Sequence, residues 1–240
     1  MRAAAASLLA AVSLFAPGTQ AAGGEKATAS RIVFGESVGG RDLVARRVGP
    51  GDGARTVLVV GEVHGNEEAG RTVVRSLRRD RGRARGLTIW TVDSVNPDGH
   101  EENGRTNSRG VDLNRNFPVG WTGAGAGTLE YGGPRPFSEP ESRGYRDLVR
   151  ELDPDVTILF HQPWGAVLAP CDGPVPLQRR YARASGMELD RCRGEELPGT
   201  MTRWQNSRGG TAFVVELAAG SLGSGKIRRH AAAVRALAAG

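Results

Sequence analysis

The sequence has no apolar run long enough to cross a lipid bilayer. A transmembrane helix needs about 20 consecutive apolar residues, and the alanine-rich run from Ala3 to Phe15 falls short of that length. This run follows one positive charge, Arg2, and ends near the small residues Thr19-Gln20-Ala21, a pattern typical of a secretory signal peptide. We therefore expect residues 1–21 to be a signal peptide and the protein to be secreted or held in the periplasm or cell envelope. The alternative is an alanine-rich leader with no targeting role.

Lysine is nearly absent, since Lys26 and Lys226 are the two lysines and arginine supplies almost all of the positive charge. The formal net charge of +6 favours polyanionic surroundings such as nucleic acid or an anionic cell envelope. The arginines are scattered, apart from one group that ends a predicted helix, where cations suit the helix dipole. No nucleic-acid motif accompanies this group, so we expect no nucleic-acid partner. The group consists of Arg75, Arg78, Arg79, Arg81, Arg83 and Arg85.

Cysteine is also rare, with Cys171 and Cys192 as the two examples. An even count in an exported chain predicts one disulfide that closes a modest loop. A nucleophilic Cys/His pair is the alternative, but nothing beside either cysteine supports it. The sequence has neither an internal repeat nor an inter-domain linker, and 240 residues are enough to bury the core of one domain.

The chain is organised around the stretch from Thr56 to Gly70. Its aliphatic run from Thr56 to Val60 suits a strand buried on both faces of a sheet, and a helix pattern begins after Asn66. The polar loop between them carries His64 and Glu67, whose imidazole nitrogen and carboxylate oxygen could reach one metal ion. Alone this pair is weak evidence, because acidic residues also suit the first turn of any helix.

The remaining patterns predict one α/β domain with a mixed, mainly parallel sheet flanked by helices. An antiparallel hairpin is expected at the sheet edge, followed by further buried strands and amphipathic helices. Turn residues at Asn96-Pro97-Asp98-Gly99 predict a turn, and Ser138-Glu139-Pro140-Glu141 has the form of a capping box. Residues 99–136 lack periodicity and predict a long functional loop. The expected strands are 32–35, 43–48, 56–60, 87–92, 156–160 and 211–215, and the expected helices start near 66, 138, 177 and 227.

Three predicted strands end on residues that bind metals or transfer protons. His64 and Glu67 follow the first, His161 ends the second and Glu216 ends the third. Two histidines and a glutamate make an open catalytic zinc site, in which the fourth position is left for water. An adjacent carboxylate can take a proton from that water, and Glu216 suits this role. A solvated acid at a strand end is the alternative for Glu216.

The segment from Arg105 to Pro118 adds arginine and asparagine donors around the carboxylate of Asp112. Such donors are what recognition of a substrate carboxylate requires. The alternative is a polar loop that stabilises only itself.

Together these motifs resemble the zinc carboxypeptidase family. Within it, His161-Gln162-Pro163 and Pro198-Gly199-Thr200 ahead of Trp204 are similar to the short bacterial murein peptide amidase branch. The resemblance implies that His64, Glu67 and His161 bind one Zn²⁺ and that Glu216 is the general base. It further implies that Arg105 polarises the scissile carbonyl, that Asn114 and Arg115 bind a substrate carboxylate, and that Asp112 hydrogen-bonds a zinc-ligand histidine. The motifs that carry it are His64-Gly65-Asn66-Glu67, Asn96-Pro97-Asp98-Gly99, Gly110-Val111-Asp112-Leu113-Asn114-Arg115-Asn116, Pro136-Phe137-Ser138-Glu139-Pro140-Glu141, His161 and Phe213-Val214-Val215-Glu216-Leu217.

The resemblance covers nearly all of residues 22–240, which we expect to be one zinc carboxypeptidase-like catalytic domain. Two departures from the family concern the substrate. No tyrosine lies between Cys192 and Arg203 to match the residue that caps the substrate in digestive members, and Arg203 stands where the family places specificity residues. We therefore count Arg203 among the substrate-binding residues.

The function that we expect is a secreted zinc amidase or carboxypeptidase acting on a peptide with a free carboxylate, such as a cell-wall peptide. An N-acyl amino-acid deacylase with the same zinc triad is a second hypothesis, although such enzymes usually lack the string from Asp112 to Asn116. An inactive module that binds peptidoglycan peptides is a third. Retention of all three ligands together with Glu216 argues against an inactive protein.

Overall fold

In a computed structural model of the protein, residues 30–80, 86–123, 125–171, 175–192 and 197–238 are described. The expected signal peptide, residues 1–21, lies outside these ranges. Across the described ranges, every helix is too short or too polar to traverse a bilayer.

The sheet contains eight strands of the described chain. They are β1 Arg31–Glu36, β2 Asp42–Val48, β3 Arg55–Val60, β4 Leu87–Val92, β5 Val156–His161, β6 Trp164–Leu168, β7 Glu188–Asp190 and β8 Thr211–Ala218, in the order β1-β2-β4-β3-β5-β8-β6-β7. The four central strands, β4, β3, β5 and β8, are parallel. At one edge β1 and β2 form an antiparallel hairpin; at the other, β6 runs antiparallel to β8 and β7 runs parallel to β6. The predicted mixed, mainly parallel sheet is confirmed.

Helices cover both faces of this sheet. They are α1 Ala69–Arg79, α2 Pro97–Glu101, α3 Pro140–Leu152, α4 Pro176–Ser185, α5 Met201–Asn206 and α6 Ser224–Arg235, with short 3-10 helices at Leu113–Arg115 and Ala236–Ala238. One apolar cluster packs α1, α4 and α6 on one face, and a second packs α3 and α5 on the other. Because β3 and β5 lie between these two clusters, Val57–Val60 and Val156–Phe160 are fully buried. Their continuous aliphatic runs are what a strand covered on both faces requires.

Two local predictions were wrong. Residues 96–99 open helix α2 rather than a turn, because the Asn96 side chain accepts a hydrogen bond from the Gly99 amide and Pro97 occupies the first helical position. The capping box at 138–141 does not form either. Ser138 donates to Glu139, and Glu141 instead accepts the Val38 amide.

Three elements were not predicted, and one strand is longer than expected. Strands β6 and β7 and helix α5 are short segments without a clear periodicity, and β8 continues two residues past Glu216 to Ala218. The consequence for the site is that Glu216 lies inside a strand, hydrogen-bonded on both sides, and not at its free end. Its register partners are His161 on β5 and Ala166 on β6.

Candidate metal centre

The centre forms at the carboxyl ends of β3 and β5, which are neighbours in the sheet. His161 is the last residue of β5, while His64 and Glu67 lie in the loop from β3 to α1. Gly65 allows this loop to pack tightly, since a Cβ there would collide with the backbone of Gly99 and His100 at helix α2. Open α/β sheets bind their ligands at this edge.

Three side chains meet in the buried centre. His64 Nδ1 lies 2.9 Å from Glu67 Oε1, His161 Nδ1 lies 2.9 Å from Glu67 Oε2, and the two Nδ1 atoms are 3.2 Å apart. The ligand atoms of all three residues lie within 4.8 Å of one another. Zinc takes two imidazole nitrogens and a carboxylate at about 2.0–2.2 Å each, which places neighbouring donor atoms about 3.3 Å apart. The donor set and its spacing therefore fit a zinc ion.

Asp112 sets which nitrogen His64 offers. Its Oδ1 lies 3.1 Å from His64 Nε2, so that Nε2–H donates to the carboxylate and the Nδ1 lone pair faces Glu67 and His161. The same carboxylate accepts the Asn114 amide at 2.8 Å and two bonds from Arg105. The contact between Asp112 and a candidate ligand histidine confirms that expectation.

Electrostatics in the centre favour the ionised form of Glu67. Burial would raise the pKa of Glu67, but its contacts with the imidazoles of His161 and His64 outweigh burial and lower that pKa. Burial lowers the pKa of His161. For His64 burial acts in the same direction, yet the bonds to Asp112 and Glu67 raise its pKa. A carboxylate that stays ionised is the form a metal ligand needs.

Glu216 faces the same cavity from β8. It is 8 % exposed, and its Oε2 has no hydrogen-bond partner among the described residues. Burial, and then the negative charge of Glu67, raise the pKa of Glu216 to about 7, while the backbone N–H of Trp164 opposes that rise. A buried carboxyl group with a pKa near neutrality can both accept and return a proton.

All eight predicted site residues line one cavity of about 860 Å³. Besides the three candidate ligands and Glu216, it contains Arg105, Asn114, Arg115 and Arg203. The sequence prediction placed these residues on separate loops and strands, and the structure brings them together.

Arg105 joins the metal centre to the polar half of the cavity. Its Nε and Nη2 donate to Asp112 Oδ2 at 3.1 and 2.8 Å. Its Nη1 lies 3.2 Å from His64 Nδ1 and 3.5 Å from Glu67 Oε1. Two of its nitrogens are therefore committed to Asp112, and the third points at the centre.

Asn114 and Arg115 follow in the 3-10 helix that Asp112 starts. Asn114 Oδ1 accepts the Met201 amide at 3.0 Å, while its Nδ2 has no partner among the described residues. Arg115 is 7 % exposed, and its Nη2 lies 3.6 Å from the solvent-exposed Glu130. A Cβ at Gly199, where φ is +66°, would collide with the Arg115 carbonyl, so glycine there lets the two segments pack.

Arg203 reaches the cavity from α5 and is partly buried. Its Nη1 lies 3.5 Å from the Leu197 carbonyl oxygen and occupies the space that a Cβ at Gly120 would need. It therefore lines the cavity beside Leu197, which is also part of the lining.

Gln162 is a residue of the centre whose role the sequence did not predict. Its amide N–H donates to Glu67 Oε2 at 3.2 Å, and its side-chain oxygen accepts the Ala69 amide at 3.0 Å. Its Nε2 donates to the carbonyls of Ala218 and Gly220. Gln162 thus links the candidate ligand Glu67 to the start of α1 and to the end of β8 by hydrogen bonds. Its position directly after His161 is the one signal that could have drawn attention to it.

The predicted disulfide between Cys171 and Cys192 is present, with a Cα–Cα distance of 4.7 Å. It lies beside the cavity, and Cys192 contributes to the lining. The disulfide prediction is confirmed.

Comparison with known proteins gives results that agree with this geometry. A family model described as zinc carboxypeptidase matches residues 20–184. Murein peptide amidase A of Escherichia coli strain K12 is 30% identical over 167 residues, which cover 61% of this chain and 64% of that protein. The chain thus matches slightly less than two thirds of this relative's length.

Solved structures agree on the fold. The crystal structure of the murein-tripeptide amidase from Escherichia coli O157 superposes with a TM-score of 0.69 at 24% identity, covering 88% of this chain and 90% of that one. Carboxypeptidase A from Helicoverpa armigera gives a TM-score of 0.71 at 17% identity, with 87% and 68% covered. At these identities the likeness concerns the fold.

Proposed function

This chain belongs to the zinc carboxypeptidase family, and from that premise we propose that it hydrolyses an amide bond next to a free substrate carboxylate. The family model spans residues 20–184 of 240, and membership makes the protein a zinc-dependent hydrolase. The candidate site for the single zinc ion consists of His64, Glu67 and His161.

The observation that carries the proposal is the buried guanidinium of Arg115 beside the metal centre. Its nearest carboxylate, that of Glu130, is exposed and 3.6 Å away, so the pair gains little from solvent-screened attraction. Asn114 Nδ2 supplies a further donor in the same cavity. A substrate carboxylate would give Arg115 the two parallel, charge-assisted hydrogen bonds that its planar fork is built to make.

Proton transfer is the role proposed for Glu216. Zinc, when bound, lowers the pKa of a coordinated water to about 7 and so supplies a nucleophile at neutral pH. With the metal bound, the carboxylate of Glu216 would accept a proton from the nucleophile, since its Oε2 has no other described partner. It would then return that proton to the nitrogen of the leaving amine.

Arg105 is proposed to stabilise the negative charge that develops on the scissile carbonyl oxygen. Its bonds to Asp112 fix the guanidinium plane, and Nη1 remains directed toward the centre. A preorganised donor of this kind is worth about 10²–10³ in turnover. Because Asp112 also holds His64, one carboxylate orients both the metal ligand and the oxyanion donor.

Export and a cell-wall peptide complete the proposal. Residues 1–21 read as a signal peptide, and structural disulfides persist mainly in oxidising compartments. The relative from Escherichia coli is named a murein peptide amidase, and peptides of murein carry free carboxylates. These points support an envelope enzyme, with residues 22–240 as its catalytic domain.

The test compares peptides that differ only in one group, a free or an amidated carboxylate next to the scissile bond. Amidation removes the substrate carboxylate and leaves the buried guanidinium of Arg115 with the exposed Glu130 as its nearest counter-charge, which costs about 3–4 kcal/mol, or roughly 10²–10³-fold in kcat/KM. In Arg115→Ala the ratio between the two substrates should fall toward one. A panel of cell-wall peptides then ranks the substrates.

Arg75→Ala is the matched control, because Arg75 is half exposed on α1, pairs with Asp93 at 3.8 Å and does not line the cavity. That variant should keep the full preference for the free acid. Equal rates of the wild-type protein on acid and amide would reject the carboxylate anchor and favour the deacylase hypothesis. Zinc binding without hydrolysis of any panel member would favour the inactive binding module.

A further inference from the structure

One wall of the cavity is built from the ends of the two outermost strands. β6 and β7 pair in parallel, with Leu168 opposite Asp190, and the Ala169 amide donates to the Asp190 carbonyl at 2.9 Å. Two residues farther on, the disulfide joins the two segments. Residues 168–170 and 190–192 all line the cavity. We call residues 168–171 and 190–192 the clamped wall.

Hydrogen bonding alone holds this wall weakly. β7 has three residues, lies at the edge of the sheet and, within the described chain, has β6 as its one strand neighbour. Glu188 and Asp190 are exposed, and only Leu189 packs against the core. Because each hydrogen bond adds little net stability, such an edge is prone to local opening. The disulfide is the one covalent link at the point where the ladder ends.

We propose that the Cys171–Cys192 disulfide is a positioning element that fixes the clamped wall for substrate binding. The inference rests on the proposed function, since it assigns the wall to the part of the cavity that holds the substrate. Cys171 and Cys192 act through Leu168–Pro170 and Asp190–Arg191, which face the cavity. A wall that is already ordered costs less entropy when the substrate binds.

Helix α4 and the candidate metal centre are held in place by contacts other than the disulfide. Helix α4, between the two cysteines, is held by the buried hydrogen bond between Tyr181 and His230 at 2.9 Å and by packing on α6. The candidate metal ligands lie on β5 and in the loop after β3. Opening the disulfide should therefore loosen the wall and leave both the metal centre and α4 in place.

The experiment compares the wild-type protein with the double variant Cys171→Ser/Cys192→Ser, which leaves no unpaired thiol. The expected result is a rise of about tenfold in KM, which corresponds to about 1.4 kcal/mol, with kcat within about twofold and zinc content unchanged. A raised KM at constant kcat is the signature of lost uniform binding. Hydrogen exchange at the Ala169 amide should accelerate at the same time, because its acceptor, the Asp190 carbonyl, is no longer held.

Tyr181→Phe is the matched control, because it removes a buried hydrogen bond inside the same disulfide loop without touching the wall. It should lower stability and leave KM and Ala169 exchange unchanged. If the double serine variant does not fold, the folded wild-type protein is reduced with a dithiol. Each sulfur then gains one electron and one proton, and the reagent is oxidised to its own disulfide.

Two results would overturn the inference: an unchanged KM in an active double variant, or unchanged exchange at Ala169 after the disulfide is opened. Loss of zinc together with the disulfide would also overturn it, because the link would then serve the whole fold. A wild-type protein without hydrolytic activity would count against the proposed function instead. The exchange measurement would still decide whether the disulfide holds the wall.

Discussion

Replacing Asp112 by asparagine should weaken zinc binding without changing the size of the side chain. The carboxylate is fully buried and serves two sets of donors, with Oδ1 facing His64 and the Asn114 amide and Oδ2 facing Arg105. Burial would raise its pKa, but the hydrogen bond from His64 and the charge of Arg105 lower that pKa to about 2. The carboxyl group of Asp112 is therefore ionised at neutral pH.

An asparagine cannot satisfy both sets of donors, because one of its two positions becomes an NH2 group. If that group faces Arg105, two charge-assisted hydrogen bonds are lost, each worth about 1.5–3 kcal/mol. If it faces His64, Nε2 must become the acceptor and the proton moves to Nδ1, the atom that faces the other two candidate ligands. Loss of such a partner typically lowers metal affinity 10–100-fold, or about 1.4–2.8 kcal/mol.

The measurement is a competition for zinc between the protein and a chromophoric chelator of known affinity. Asp98→Asn is the matched control, since Asp98 is also a buried aspartate that accepts from an arginine, Arg41, and from Ser37 and the Gly39 amide. Asp98 does not line the cavity, so its variant should lose stability and keep zinc affinity. A zinc affinity of Asp112→Asn within twofold of the wild-type value would refute the orienting role.

Three further outcomes are expected. Glu216→Gln should keep zinc and lose about 10²–10⁴-fold in kcat, because the proton acceptor is gone while the shape remains; wild-type turnover would show that another group is the base. His161→Ala should lose most of the near-stoichiometric zinc that metal analysis finds in the wild-type protein, and full retention would remove His161 from the site. Burial would raise the pKa of Asp98, but bonds from the Gly39 amide, Ser37 and Arg41 lower it. Its contribution to stability is therefore complete above about pH 4 and declines as the pH falls below that value. Denaturant titrations at pH 5 and pH 3 should show a larger loss for the wild-type protein than for Asp98→Asn, and equal losses would contradict this.

The sheet and the buried centre could be predicted because their signals are local and strong. The continuous aliphatic run of β3 and the helical spacing in α1 bracket His64 and Glu67, so that their place at a strand end follows from the sequence. The position of His161 follows from the sequence in the same way, because it ends the aliphatic run of β5. Parallel strands then bring their carboxyl ends to one edge without further information.

Elements that depend on distant partners could not be predicted. Strand β6 contains Gly165 and an exposed Trp164, so its own sequence does not predict a strand. It forms by antiparallel pairing with the side of β8 that β5 does not occupy. The capping box failed because Asn116 Nδ2 donates to Ser138 at 2.8 Å, a bond between residues 22 apart. Gln162 acquires its role from α1 and β8 together. In each case the deciding contact joins segments whose relation the local pattern does not encode.

The side-by-side register of His161 and Glu216 has a consequence for how such a chain can change. Because backbone hydrogen bonds between β5 and β8 set their spacing, insertions in the surrounding loops leave the distance between His161 and Glu216 unaltered. A single-residue deletion within β8 ahead of Glu216 would instead turn that side chain to the opposite face of the sheet. Substrate preference can thus be re-engineered through the loops and the cavity walls, whereas the chemistry tolerates no shift in these two strands.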